Sequence, residues 1–197
     1  MAGLVLGSGL VVASGLLARR GVTATEADVF HRVNDLPDGA YRPVWVPMQY
    51  GTFGTVPALA AIALAARRPR LAVAIGAAGT SAWLVAKAVK PIVDRGRPKS
   101  VVTVVRTRGK EEGDRGFPSG HAAVSAALTV ALLPRIPRRY RPIPAALAVF
   151  VPFARWYVGA HLPLDTVGGS ALGTAIGSAV NLVLGVPETE PETETGA

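Results

Sequence analysis

The sequence predicts an all-α integral membrane protein, a bundle of about six transmembrane helices. Half of the 197 residues are hydrophobic, the mean hydropathy is +0.36, and the apolar residues cluster into runs. A helix needs about 20 apolar residues to cross a ~30 Å hydrocarbon core. Six apolar runs in so short a chain favour a membrane bundle over a soluble one. The runs are Ala2–Ala18, Thr55–Ala66, Leu71–Ala86, Ala122–Leu133, Ile143–Val158 and Thr166–Val186.

Several runs are shorter than a full membrane span. The second reaches spanning length only by including Met48–Gly54, and the fourth only by including Gly120 and His121. The first run could instead be a cleaved signal peptide. Its basic residues Arg19 and Arg20 follow the apolar stretch and do not precede it, which favours a retained first helix.

The remaining segments complete a single domain over residues 1–186. The polar stretch Arg19–Gln49 carries aromatic residues suited to the membrane interface, and we expect an interfacial helix over Thr25–Asn34, capped by Thr25. Residues 187–197 form an acidic tail that alternates Glu with Thr and Pro. Such a tail cannot build a core and is predicted to be disordered.

The charge and cysteine content exclude several classes of protein. The chain has no cysteine, which excludes disulfides and thiolate metal sites. A net charge of +8 could indicate nucleic-acid binding, but no predicted helix carries a basic stripe. We therefore expect the lipid bilayer, and not nucleic acid, as the partner.

Short arginine-rich linkers predict the orientation. Residues 67–70 and 134–142 hold seven arginines, and such tight basic loops belong on the cytoplasmic side. Both termini would then be cytoplasmic in a multi-pass protein of the plasma membrane. Residues 87–115 carry nine basic residues on the opposite side; we expect several of these to serve a binding site facing the outside.

The first polar motif follows the third apolar run. Lys90 and the pair Arg97-Pro98 are seven positions apart, or two helical turns, so both cations could share one face and converge on one anion. Asp94 and Arg95 lie between them and are expected to be surface charges at the helix end.

The second motif, Pro118-Ser119-Gly120-His121, opens the fourth helix. Its small residues expose backbone N–H groups at a helix N-terminus, which is a ready anion site.

The third motif joins the last two helices through Arg155, His161 and Asp165. Asp165 can reach back about one turn to orient His161. Arg155 lies in an apolar segment and needs an anionic partner, either a bound phosphate or Asp165.

Together the three motifs supply three cations, two histidines and one carboxylate. Arginine and lysine around oriented amides suit a phosphoryl group, and two histidines can divide the roles of nucleophile and general acid. The sequence offers no acidic cluster for magnesium, so we expect neither a metal nor another cofactor.

This constellation resembles the type 2 phosphatidic acid phosphatase superfamily, the lipid phosphate phosphatases, in its bacterial membrane-bound form. The resemblance covers residues 71–177. It implies that His161 attacks phosphorus to form a phosphohistidine, that Asp165 orients His161, and that His121 protonates the leaving oxygen and later activates water. The residues it implies for phosphate binding are Lys90, Arg97, Ser119, Gly120 and Arg155. The chain departs from the family's third motif by having Ala154 where a serine is usual.

We therefore expect a metal-independent phosphatase acting on a lipid phosphate. The resemblance suggests a polyprenyl diphosphate, phosphatidic acid or phosphatidylglycerol phosphate as substrate. Two alternatives remain open: a lipid phosphotransferase using the same site, and a non-catalytic lipid transporter or scaffold. Residues 106–115 are interpreted as a solvated loop, with a lid over the site as the alternative. The glycines at 169, 173 and 177 predict close helix packing, either within the bundle or in a homodimer.

Overall fold

The computed structural model describes residues 1–110 and 113–186, and its regular elements are helices. The predicted tail, residues 187–197, lies outside the described residues. The helices are α1 (Ala2–Arg19), α2 (Ala24–Asn34), α3 (Tyr41–Met48), α4 (Thr55–Ala65), α5 (Pro69–Val93), α6 (Pro98–Val101), α7 (Gly120–Leu132), α8 (Pro142–Tyr157) and α9 (Pro163–Leu184).

Each of the six predicted apolar runs coincides with a helix, namely α1, α4, α5, α7, α8 and α9. Helices α1, α5 and α9 are long and apolar enough to cross a membrane. Helix α7 does begin at Gly120, as predicted. The predicted extension of α4 is wrong, because Met48 ends α3 and Gln49–Gly51 forms a separate 3-10 turn. The 11 residues of α4 span only about 16 Å.

Helix α7 is the central helix of the bundle. It packs against α5, α8 and α9, and most of its residues are buried. Alanines spaced four apart on α5, such as Ala78 and Ala82, meet alanines on α7, such as Ala123 and Ala127. Residues at this spacing share one helix face, and small side chains let two helices approach closely.

The glycine repeat of α9 packs within the bundle. A Cβ added at Gly173 would lie 2.1 Å from the carbonyl oxygen of Ala123, and Gly169 and Gly177 also face α7. The structure therefore selects the intramolecular interpretation of these glycines. This face is not available to a second copy of the chain.

The two ends of the bundle carry different groups. At one end, Arg68 donates a hydrogen bond to the carbonyl of Arg135, and Arg135 donates to the carbonyl of Gly185 at 2.7 Å. Both arginine-rich linkers and the end of α9 thus lie together. The C-terminal ends of α5 and α8 and the N-terminal ends of α7 and α9 lie at the other end, where the three polar motifs occur.

Helix α2 lies at the motif-bearing end and is fixed by buried side chains. Phe30 and Asn34 are fully buried. The predicted cap was wrong by two positions: the helix begins at Ala24, and the side chain of Thr23 accepts the hydrogen bond from the Glu26 amide at 3.2 Å.

Candidate active site

The structure brings the three sequence motifs to one concave site. Lys90, Arg97, His121 and His161 line a cavity of about 920 Å³, together with Gly120. A neighbouring cavity of about 530 Å³ shares Arg97 and His121 and adds Arg155. Ser119 and Asp165 are fully buried. Residues from all three motifs thus surround the two adjoining cavities with positive charge.

Lys90 and Arg97 reach this space differently from the sequence prediction. Helix α5 ends at Val93, and Asp94 adopts a left-handed conformation with φ of 51°. Arg97 is therefore not on the same helix face as Lys90, but caps the short helix α6. The left-handed break in the chain at Asp94, and not helical periodicity, precedes Arg97 on its way to the cavity.

Backbone carbonyls hold both cations in place. The Lys90 ammonium donates to the carbonyl of Arg115 at 2.9 Å, and Arg97 Nη1 donates to the carbonyl of Ala160 at 2.8 Å. These contacts tie the first motif to the segments that precede α7 and α9. The two cations are therefore fixed before any anion binds.

The second motif forms the N-terminus of α7. Ser119 is the N-cap, and its hydroxyl accepts from the amide of Ala122 at 3.4 Å. The amide of Ser119 donates to the backbone carbonyl of Asp165 at 2.8 Å. Gly120 and His121 then occupy the first helical positions facing the cavity. A helix N-terminus is favourable for an anion at this point.

The third motif spans the end of α8 and the start of α9. Arg155 lies in the last turn of α8 and is 3% exposed. His161 is 1% exposed, and its Nδ1 lies 3.5 Å from Asp165 Oδ2. That oxygen also accepts from the amide of Leu162 at 2.9 Å. Pro163 is in the first turn of α9, where it is tolerated.

The electrostatics of the site keep His161 neutral. Burial lowers its pKa well below the ordinary value, and the positive charges of Arg155, Arg97 and Lys90 lower it further. Only a neutral imidazole has a lone pair available for attack on an electrophile. The same cations would attract an anionic substrate to the neutral imidazole.

Two residues at the site were missed or misread from the sequence. Arg95 is 5% exposed and donates to Asp165 Oδ1 at 3.1 Å, so its prediction as a surface charge was wrong. Arg95, and not Arg155, forms the ion pair with Asp165. Glu26, from α2, is the second carboxylate paired with Arg95. No local sequence pattern indicates a contact between residues 69 positions apart.

Within residues 1–110 and 113–186, no group of three or more His, Cys, Asp or Glu side chains is arranged to hold a metal ion.

The segment beginning at residue 106 is more firmly held than a solvated loop. Asn34 Oδ1 accepts from the amide of Arg106 at 2.8 Å, and Asn34 Nδ2 donates to the carbonyl of Tyr157 at 3.1 Å. Arg108 lies over the Tyr157 ring and donates to the carbonyl of Leu36 at 2.7 Å. The first part of the predicted loop is thus anchored to α2 and α8; residues 111 and 112 lie outside the described part of the chain.

Ala154, which replaces the expected serine, lies in an apolar environment. It is fully buried and packs with Val44, Met48 and Tyr157. A methyl group is well accommodated among these side chains.

Comparison with known proteins identifies a matching family and individual relatives. A model of the PAP2 superfamily matches residues 70–185. An undecaprenyl-diphosphatase of Sulfolobus acidocaldarius is 27% identical over 119 residues, which cover 60% of this chain and 58% of that protein. A lipid A 4'-phosphatase of Bacteroides thetaiotaomicron is 33% identical over 91 residues, which cover 43% of this chain and 40% of that protein. The matched part of the chain therefore spans less than two thirds of either relative.

Two solved structures share the fold. LpxE of Aquifex aeolicus superposes with a TM-score of 0.73 and 18% identity, covering 80% of this chain and 95% of that one. A PAP2-type phosphatidylglycerolphosphate phosphatase of Bacillus subtilis superposes with a TM-score of 0.70 and 18% identity, covering 90% and 95%. At this identity the likeness establishes a common fold.

Proposed function

Because the chain belongs to the PAP2 superfamily, we propose that it is a membrane phosphatase that hydrolyses a lipid phosphate through a phosphohistidine, without a metal. Residues 1–186 would form one catalytic domain. The observation that carries the proposal is the convergence of Lys90, Arg97 and His121 with His161 on one cavity.

The charge of the cavity supports a phosphoryl group as the ligand. Lys90 lies in the last turn of α5, Arg97 lies in the connection after α5, and Arg155 comes from α8. Arginine offers paired N–H donors that match phosphate oxygens, whereas lysine acts as a point charge. With the hydroxyl of Ser119 and the amide of Gly120 at the start of α7, these groups would neutralise the charge on the transferring phosphoryl oxygens.

The proposed reaction has two steps. In the first, Nε2 of neutral His161 attacks phosphorus, and the bond between phosphorus and the lipid oxygen breaks. His121, which would carry a proton once the bound anionic phosphate offsets the charge of the nearby cations, gives that proton to the lipid oxygen. In the second, His121 takes a proton from water, the resulting hydroxide attacks phosphorus, and inorganic phosphate leaves with His161 restored. Asp165, 3.5 Å from Nδ1, would stabilise the positive charge on the phosphorylated imidazole.

The surroundings of the site favour a lipid over a soluble substrate. Phe53 and Trp83 line the larger cavity and stack at 4.6 Å, and Tyr41 and Trp45 line the neighbouring one. Aromatic residues of this kind anchor proteins at the depth of the lipid headgroups. A substrate could therefore present its phosphate to His161 while its chain stays in the bilayer. The proposed candidates are a polyprenyl diphosphate, phosphatidic acid and phosphatidylglycerol phosphate.

The distribution of arginine supports an outward-facing site. The tight linkers at residues 67–70 and 134–142 lie at the end of the bundle opposite the cavity. If these basic linkers are cytoplasmic, both termini are cytoplasmic, six helices cross the plasma membrane, and the site opens to the outside. Cysteine accessibility to an impermeant maleimide, with single cysteines at exposed Arg139 and at exposed Lys99, tests this topology because the native chain has no cysteine.

The function is tested by phosphate release from a panel of purified lipid phosphates in detergent, with the His161→Ala variant as the blank. We expect release from at least one candidate lipid, unaffected by EDTA and inhibited by vanadate, which mimics pentacoordinate phosphorus. Release without an added acceptor alcohol would exclude an obligatory phosphotransferase. Lipid binding with no turnover on any substrate would favour the non-catalytic alternative, and a strict magnesium requirement would contradict the proposed mechanism.

A further inference from the structure

A buried ion cluster lies directly behind the proposed nucleophile. Arg95 follows α5, Glu26 lies in the first turn of α2, and Asp165 lies in the first turn of α9. Their exposed fractions are 5%, 6% and 0%. Three segments that are far apart in the sequence therefore place one cation and two anions together in the interior.

Arg95 joins the two carboxylates through its terminal nitrogens. Arg95 Nη1 donates to Glu26 Oε1 at 3.0 Å and to Asp165 Oδ1 at 3.1 Å, and Nη2 donates to the other oxygen of Glu26. The carboxylates raise the pKa of Arg95 against the opposing effect of burial. The guanidinium is thus committed to these two anions.

Glu26 also holds the start of α9. Its Oε1 accepts a hydrogen bond from the amide of Leu164 at 2.9 Å, which is one of the unpaired donors at the N-terminus of that helix. Leu164 is the residue before Asp165. Glu26 therefore fixes the backbone next to Asp165 directly, and it fixes the Asp165 side chain through Arg95.

The contacts of Asp165 divide between its two oxygens. Oδ1 accepts from Arg95, whereas Oδ2 accepts from the Leu162 amide and faces His161 Nδ1. Gly116 closes the remaining side, because a Cβ added there would lie 2.7 Å from Oδ2. A carboxylate held from every side can keep a histidine in one tautomer and one orientation.

Two buried carboxylates near each other repel unless a cation lies between them. If Arg95 were neutralised, Asp165 would have Glu26 as an uncompensated neighbour, and protonation of one carboxyl would relieve the repulsion. A protonated Asp165 could no longer accept a proton from, or stabilise positive charge on, the imidazole.

We propose that Glu26 and Arg95 are positioning residues for the phosphatase reaction, holding Asp165 ionised and aimed at Nδ1 of His161. The inference rests on the proposed function, in which His161 is the nucleophile. It extends the working site to α2, because Glu26 lies outside residues 70–185, the part that matches the family model. The competing interpretation is a purely structural ion cluster that attaches α2 to the bundle.

The variants Glu26→Gln, Arg95→Lys and Arg95→Gln distinguish these interpretations. Asp28→Asn is the matched control, since Asp28 is an exposed carboxylate on the same helix. Activity is expressed per folded molecule, measured by gel filtration and thermal unfolding in detergent. We expect kcat to fall roughly 10- to 100-fold in Glu26→Gln and Arg95→Gln, because small displacements of reacting groups have effects of this size. KM should change less than twofold in these two variants. Arg95→Lys should keep more of the parent kcat than Arg95→Gln does, and Asp28→Asn should have the kcat of the parent.

A second measurement does not depend on turnover. The chain has three histidines, so side-chain ¹⁵N spectra of histidine-labelled protein can be assigned by single substitutions. In the parent we expect His161 in one tautomer with the proton on Nδ1, and in Glu26→Gln and Arg95→Gln a mixture of tautomers. Parent-like kcat per folded molecule, or a fall in kcat with an unchanged tautomer, would overturn the inference. If the parent hydrolysed no lipid phosphate, the proposed function would fail, and the tautomer comparison would still decide the role of Glu26 and Arg95.

Discussion

The carboxylate oxygen Oδ2 of Asp165 lies 3.5 Å from Nδ1 of His161. With Nδ1 directed at a carboxylate, Nε2 is the nitrogen left to face an electrophile. Asp165 also accepts the amide of Leu162 at the start of α9, so the helix N-terminus and the imidazole are oriented by one side chain. This pair defines the direction of attack in the proposed mechanism.

Replacing either cavity histidine should remove activity in different ways. His161→Ala should lower kcat by roughly 10⁴-fold or more because no phosphoenzyme can form. His121→Ala should cost about 10²- to 10⁴-fold, and more for alkyl phosphates than for aryl phosphates, whose leaving groups need no proton. Acid-labile, alkali-stable labelling with ³²P-substrate should be lost only in His161→Ala. The control is His31→Ala, on α2; labelling that persisted in His161→Ala would exclude it as nucleophile.

The pH dependence should reflect the lowered pKa of His161. An ordinary imidazole is half protonated at pH 6.5, whereas burial and nearby cations keep His161 neutral there. As the pH falls, His161 is therefore protonated, and ceases to be a nucleophile, at a lower pH than an ordinary histidine. The ionisation of the substrate is measured separately by ³¹P NMR, so that the pH dependence of kcat/KM due to the free enzyme can be isolated. We expect the acid limb of that enzyme profile to lie below pH 6.5. An enzyme limb at or above pH 6.5 would contradict the assignment.

The packing of α9 on α7 should depend on Gly173. Gly173→Ala would place a methyl group 2.1 Å from the carbonyl of Ala123, and forcing atoms into a packed core costs about 1–3 kcal/mol or more. We expect a lower midpoint of thermal unfolding in detergent. Gly76→Ala is the matched control, because nothing lies within 4 Å of a Cβ there. Equal midpoints for the two variants would refute the close helix contact.

Asn34 should control the order of the segment that borders the site. Asn34→Ala removes its contacts with the backbone of Arg106 and with the end of α8. We expect faster amide hydrogen exchange in residues 105–110. Asn181→Ala removes a similar amide, which donates to the carbonyl of Val130 at 2.8 Å, at the opposite end of the bundle. If exchange in residues 105–110 rose equally in both variants, the anchoring role of Asn34 would be wrong.

The sequence by itself located the apolar helices and the polar motifs at their ends. Apolar runs located α1, α4, α5, α7, α8 and α9 because burial in an apolar medium requires continuous hydrophobic segments. The cap at Ser119 and the proline at the start of α9 are local signals, so they too could be read along the chain. The resemblance to a lipid phosphatase family, carried by local motifs, was confirmed by the family match.

Only the tertiary structure decided how distant charges combine. Arg97 reaches the cavity after the left-handed break at Asp94 and not along a helix face, and Glu26 meets Arg95 across 69 positions of sequence. The pairing of two buried charges depends on where the backbone brings them and on the absence of competing water. Neither condition produces a periodic or local pattern in the sequence. The ion cluster next to His161 can therefore be identified only from the packed helices.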